Sequence, residues 1–382
     1  MEFNIETYIA SLPDDTLRID ISGRGLKVIP DLSRFKNLQH LDCSSNQLTC
    51  LPELNENLQY LNCINNKLTY LPELNEKLQS LYCVNNQLTY LPELNENLKY
   101  LSCNENQLTY LPELNENLLY LDCSDNQLTY LPNFNENLQN LYCYNNELTY
   151  LPELNKNLQK LSCMNNQLTY LPELNKNLQR LYCFNNQLTC LPELNEKLQH
   201  LNCSYNQLTY LPELNENLEY LICHINQLTY LPELNENLQN LYCYNNELTY
   251  LPELNKNLQN LSCMNNQLTY LPKLNENLQN LCCGNNKLTY LPELNESLRS
   301  INISNIEIYD IPNEKYDIMQ KIKIIHKFRK LYYSLKFKKQ FRKWLWELVR
   351  EPKIMQKYHP SYLSENLNEE TNLEHFLENW TK

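Results

Sequence analysis

The chain has 382 residues, 42% of them apolar, enough to bury a sizeable core, and its three glycines, Gly23, Gly25 and Gly284, cannot compose a glycine-rich phosphate loop or a dinucleotide fingerprint. Its net charge of −13 is unevenly placed: residues 1–312 hold 17 Lys and Arg against 36 Asp and Glu, a balance of −19, whereas residues 313–382 hold 15 against 9, a balance of +6. The start, MEFNIETYIASLPDD, lacks the basic and apolar segments of a secretory leader, and no apolar run is long enough to cross a bilayer, so a soluble, cytoplasmic protein is expected.

Residues 1–15 read as an N-terminal cap segment, too short for a three-helix adaptor. A repeat array of about 15 units then occupies residues 16–312. Its leading unit, TLRIDISGRGLKVIP, is worn but keeps Ile19, Ile21, Leu26 and Ile29. Thirteen regular units follow at twenty-residue spacing from Leu38 to Leu278, reading L-x-x-L-x-C-x-x-N-x-L-x-x-L-P, as in Leu58, Leu61, Cys63, Asn66, Leu68, Leu71 and Pro72. The trailing unit, LRSINISNIEIYDIP, puts Ile303 in the cysteine slot and Ile306 in the asparagine slot. Worn end units are expected of stacked coils, because the last coil has no neighbour to complete its core.

This pattern is the signature of leucine-rich repeats, with cysteine in place of the third leucine. Including the ending REPKIMQKYHPSYL, the chain resembles the leucine-rich-repeat proteins of giant DNA viruses that infect amoebae, such as mimivirus. The short period and the recurrent LPEL also resemble bacterial effectors, some with a ubiquitin-ligase domain, in which proline usually follows LPEL; here Asn75 and its equivalents stand there. The viral resemblance implies an interaction protein made in the host cytoplasm. The fold expected is an α/β-type repeat solenoid, a leucine-rich-repeat horseshoe with short parallel β-strands on its concave face, plus an α-helical C-terminal region.

A single coil cannot bury its own apolar residues, so coils must stack, each giving one strand at a spacing of about 4.8 Å. Leu61 and Cys63 then point inward, while Tyr60, Asn62 and Ile64 point to the concave face by two-residue alternation. The asparagine column, Asn46 to Asn286, is placed to satisfy backbone groups that the turning chain would orphan. The inward columns barely change, and the threonine before the Tyr70 column is grouped with them as a constant letter. Change gathers instead at the outward strand positions and just after them, although the convex Glu73 and Glu76 columns should be equally exposed.

That contrast points to binding through the concave face, centred on Tyr142, Tyr144, Tyr182, Phe184, Tyr242 and Tyr244, since tyrosine is a frequent anchor in interfaces. The units beginning at Leu138 and Leu238 are identical for twenty residues, so two similar patches are expected on one face. Thirteen of the sixteen cysteines form one column, Cys43 to Cys283, expected to be reduced apolar filler; Cys50, Cys190 and Cys282 should be more exposed. The Tyr70 to Tyr290 column should wedge along one flank with hydroxyls toward water.

Residues 313–382 read as a basic helical region; residues 321–357 carry 13 Lys and Arg against 2 Asp and Glu, with apolar residues at helical spacing from Ile318 to Leu335. Three roles are open to it: a cap on the last coil, a docking helix, or a binder of nucleic acid or an anionic membrane surface through Lys336, Lys338, Lys339, Arg342 and Lys343. The six histidines lack metal-ligand spacing, no Ser/His/Asp or Cys/His set can be nominated, and the tail has no cysteine nucleophile. The expectation is no enzyme, no cofactor, no metal and no small-molecule substrate. The expected partner is a protein, of host or virus.

Overall fold

The structure is a computed structural model, and it describes residues 3–289, 291–304, 337–338 and 342–343. The chain separates into two units, Met1–Asn313 and Glu314–Lys382. Among its described residues the first contains one helix, α1 (Ile5–Ser11), and a fifteen-stranded sheet whose strands lie in sequence order. Strand β1 is Arg18–Asp20, β2 is His40–Asp42, β3 is Tyr60–Asn62, and the three-residue strands recur to β15, Ser300–Asn302. All pairings described are parallel and in register, as in Leu41 opposite Leu61 opposite Leu81. This is the expected leucine-rich-repeat solenoid.

The core follows from the constant letters. In the coil of β3, Leu58, Leu61, Cys63 and Leu68 are completely buried, as are their equivalents through most of the array. Each coil covers its neighbours' side chains, so within the array burial is supplied by stacking. Hydrogen bonding extends beyond the short strands: Cys63 donates its N–H to the Tyr82 carbonyl at 2.8 Å, and Lys67 to Leu48 at 2.8 Å.

The inner asparagine column is satisfied on every side. Asn66 Nδ2 donates to the carbonyls of Cys43 and Cys63 at 3.1 Å each, while its Oδ1 accepts the Leu48 N–H at 3.0 Å. A primary amide is the side chain that can both donate and accept here, which explains its recurrence.

A second amide ladder runs along the back of the coils. Asn75 donates to the Asn55 carbonyl at 2.8 Å, Asn95 to the Asn75 carbonyl at 2.9 Å, and Asn97 to the Glu76 carbonyl at 2.8 Å. These coils have no convex helix, so the LPELNEN segment is fastened coil to coil by side chains. The asparagine after LPEL therefore has a structural office that its neighbouring letters do not reveal.

One column adopts left-handed backbone: Asn65 has φ 56°, and thirteen non-glycine residues at twenty-residue intervals share this conformation. Asparagine tolerates it best, and many of these amides also bond to one another, as Asn85 to Asn65 at 2.9 Å. Tyr205 and Ile225 occupy the same column at φ 52° and 55°, where a large or β-branched side chain is strained.

The N-terminal segment, whose secondary structure the sequence left open, contains the short helix α1. Asn4 caps it by accepting the Thr7 N–H at 3.0 Å, and Arg34 from the next coil donates to the carbonyls of Ile9 and Leu12 and pairs with Asp14. Seven residues without a repeating apolar stripe gave no periodic signal. The threonine column is also corrected: Thr69 and its equivalents are exposed rather than inward, because the chain turns outward after Leu68. At the far end, a Cβ on Gly284 would lie 2.6 Å from Ser304 Oγ and 2.8 Å from the Ser304 carbonyl, so glycine is required by the close approach of the last coil.

Of the expected tail site, Lys338, Arg342 and Lys343 are exposed helical residues. Lys336 and Lys339, the apolar spacing from Ile318 to Leu335, Ile306 and Tyr290 lie outside the described residues. No described helix is long and apolar enough to cross a membrane.

Candidate protein-binding face

The outward positions of each coil are the two ends of its strand and the residue after the buried cysteine. Alternation places Tyr142 at the end of β7 (Asn140–Tyr142) and Tyr144 just beyond it, on opposite sides of buried Cys143. Tyr182, Phe184, Tyr242 and Tyr244 repeat that arrangement, and all six are half-buried. Their ring contacts run to residues outside the set: Tyr142 lies 5.5 Å from Tyr120, and Tyr244 stacks on His224 at 4.1 Å with an interplanar angle of 12°. Tyr205 meets the other side of that cluster, edge-on to His224 at 5.3 Å, and His200 stacks on Tyr220 at 4.5 Å. The aromatic surface is thus continued by Tyr120, Tyr205, Tyr220, His200 and His224, which the sequence did not single out. Their common signal was position in the variable columns.

Charge on this face is sparse and local. Asp122 accepts the Ser124 hydroxyl and N–H, yet burial holds its carboxyl above the usual range, reinforced by Asp125 and Glu105. Beside it the Tyr120 hydroxyl is pushed up to about 12, first by burial and then by Asp122 and the neighbouring tyrosines. Burial lowers both His200 and His224, so these imidazoles are neutral at physiological pH. Toward the C-terminal strands the face becomes aromatic, aliphatic and amide-bearing, with Ile222, Tyr242, Met264 and Asn260 outward.

The cysteine column is chemically quiet. All thirteen members are buried, and Cys83, Cys163 and Cys203 are pushed up to about 12 by burial. Cys43 Sγ instead acts as a weak donor to the Asn62 carbonyl at 3.4 Å. Cys190 is exposed, and Cys50 and Cys282 are half-exposed. Tyr70 through Tyr270 stand 42 to 52% exposed along one flank. A cleft of about 240 Å³ beside the last strands is lined by Asn237, Gln239, Asn257, Gln259, Asn277 and Gln279, amides with no group to move a proton. Among the described residues no set of three His, Cys, Asp or Glu could hold a metal ion.

A family profile described as leucine rich repeats (2 copies) matches residues 156–196. Among solved structures, the chain is similar to YopM, a leucine-rich effector protein from Yersinia pestis, with 32% identity over 75% of this chain and 88% of that one, at a TM-score of 0.68. It is similar to a leucine-rich-repeat protein of Leptospira interrogans, with 30% identity over 75% of this chain and 94% of that one, at a TM-score of 0.55. The functional domain of InlJ from Listeria monocytogenes, described as including a cysteine ladder, shares 28% identity over 72% of this chain and 69% of that one, at a TM-score of 0.54. No curated protein matches by sequence.

Proposed function

This chain belongs to the leucine-rich-repeat proteins, and we propose that it is a non-enzymatic scaffold that binds a protein partner on its concave face. The supporting observation is a contrast between columns. Inward leucine, cysteine and asparagine positions are nearly constant, and the exposed convex glutamates change little, whereas outward strand positions change from coil to coil. Exposure alone does not explain variation concentrated on one face. The anchors are Tyr142, Tyr144, Tyr182, Phe184, Tyr242 and Tyr244, large half-buried side chains that lose little conformational entropy on contact. Reduced buried thiols suit the cytoplasm, and we extend the proposal to that compartment and to the giant-virus source that the sequence resembles.

The test uses the full chain and a variant with the six residues replaced by alanine, both immobilised and exposed to host-cell lysate at low and high salt. Proteins held at high salt by the first and lost by the second are expected. Equal retention by a variant with an unchanged circular-dichroism spectrum would sink the concave-face assignment.

A second reading rests on the tail, whose residues 321–357 carry 13 basic against 2 acidic side chains. In it the array is a spacer, and Lys336, Lys338, Lys339, Arg342 and Lys343 hold nucleic acid or an anionic surface. Binding that falls steeply with salt and disappears when these five become alanine would favour it.

A further inference from the structure

Two stretches of the array are near-copies whose outward side chains have stayed alike while their surroundings diverged. Residues 138–177 and 238–277 differ at three of forty positions: Lys160 against Asn260, Glu173 against Lys273, and Lys176 against Glu276. The last two pairs are exposed on the convex side, leaving one difference on the concave face. The units on either side also sit five coils apart, yet 118–137 and 218–237 differ at six of twenty positions, and so do 178–197 and 278–297. Many of those changes are outward, including Asp122 against Ile222, Ser124 against His224, Arg180 against Asn280 and Phe184 against Gly284. The inner forty residues keep all but one of their concave letters, while the concave letters beside them have changed.

Resting on the concave-face reading, we propose that the array carries two equivalent docking sites, one on Tyr142 and Tyr144 and one on Tyr242 and Tyr244. Each takes a copy of the same uncharged, apolar-rich peptide segment, and the two copies are presented in tandem with one chain direction.

The chemistry of the segment follows from the shared outward set. Tyr142, Tyr144 and Met164 recur as Tyr242, Tyr244 and Met264, uncharged and half-buried at both sites, whereas Ser162, Ser262 and Asn240 are buried. Tyrosine and methionine supply apolar contact at both sites, whereas the charges beside the first, Asp122 opposite Tyr142 and Lys160 opposite Asn140, are Ile222 and Asn260 at the second, so a charged segment would lose hydration without gaining a counter-charge common to both. The tandem arrangement follows from the sheet. Strand β7 and β12 (Asn240–Tyr242) belong to one parallel, in-register sheet, five strand steps apart, about 24 Å at the usual spacing. The two sites therefore face the same way and repeat along the solenoid. A two-fold symmetric dimer presents its copies in opposite senses and cannot meet both alike. One extended chain can, with its two segments offset by about seven residues at roughly 3.3 Å each.

The experiment selects short peptides on the immobilised full chain from a random displayed library and measures their stoichiometry by titration calorimetry. Two peptides per chain are expected for the wild-type protein, one for Y142A/Y144A, one for Y242A/Y244A and none for the fourfold variant. The same peptide joined in tandem at the seven-residue offset should bind roughly a hundredfold more tightly than the single copy, and lose that gain in either double variant. One peptide per chain, abolished by one pair alone, would overturn the two-site inference and leave concave-face binding intact. Failure to select any peptide, or binding indifferent to all four substitutions in a folded chain, would overturn both.

Discussion

The side-chain amide of Asn166 donates to the carbonyl of Cys143, one coil before its own, at 3.0 Å. It also donates to Cys163 at 3.1 Å, and its Oδ1 accepts the Leu148 N–H at 3.0 Å, so one buried residue holds two coils together. Asn166→Asp keeps the shape but faces a carboxylate toward carbonyl oxygens. The expected loss is about 3 kcal/mol, read from urea unfolding of the full chain. A loss below about 1 kcal/mol would mean that water replaces these bonds readily.

Ile225 is a β-branched residue in left-handed backbone, at φ 55°. Ile225→Asn should stabilise the chain by about 1 kcal/mol, by relieving that strain and restoring an acceptor for Asn245. The measurement is the urea midpoint. An unchanged or lower midpoint would mean that packing of the isoleucine outweighs its backbone cost.

Asp122→Asn keeps an acceptor for Ser124, as Asn202 is an acceptor for Ser204 at 2.7 Å. The carboxyl of Asp122 titrates above its ordinary 3.8 when folded, because of burial. The folded state therefore holds the proton more tightly than the unfolded one, and the charged form costs stability at neutral pH. That cost fades as pH falls from the raised value through 3.8. The asparagine variant should be the more stable at pH 7, with its advantage vanishing in acid. A constant difference across a pH series of unfolding curves would contradict the assignment.

Thiol accessibility gives a further expectation. Under native conditions at neutral pH a maleimide should label Cys190 first and Cys50 and Cys282 more slowly, while the thirteen buried cysteines wait for unfolding. Burial raises those thiols, so the reactive thiolate is suppressed as well as covered. Mass spectrometry of the intact chain counts the adducts; rapid labelling beyond three would show that coils open locally.

The stacking of the coils was legible in the sequence because leucine and cysteine recur at fixed intervals and have one physical use, burial. The Asn66 column was legible for the same reason, an amide held constant among apolar letters. The Asn75 column was equally constant and the Asn97 column nearly so, broken by Lys77, Lys197 and Ser297, but they lie among Glu76 and other exposed residues, so nothing marked them as bonded. Left-handed backbone at the Asn65 column escaped notice because Ser45, Glu105, Tyr205 and Ile225 break its composition. Thr69 was misplaced because constancy was taken for burial. On the candidate face, alternation identified which columns point outward, whereas the partnerships of Tyr142 with Tyr120 and Tyr244 with His224 depend on coil-to-coil geometry that one coil's letters do not contain.

From β2 onward each strand pairs with residues at a fixed offset of twenty in its neighbours, Tyr60 with Ser80 and Leu61 with Leu81, whereas β1 pairs with β2 at an offset of 22. A gene cut and rejoined by whole units would therefore still encode an in-register sheet, since each new junction presents the same leucines, cysteine and asparagine. Unequal recombination could lengthen or shorten the protein without a search for new core packing. What such an event would alter is the separation between the two tyrosine pairs, in steps of about 4.8 Å. Array length is in that sense a heritable ruler, adjustable in whole coils while the fold stays unchanged.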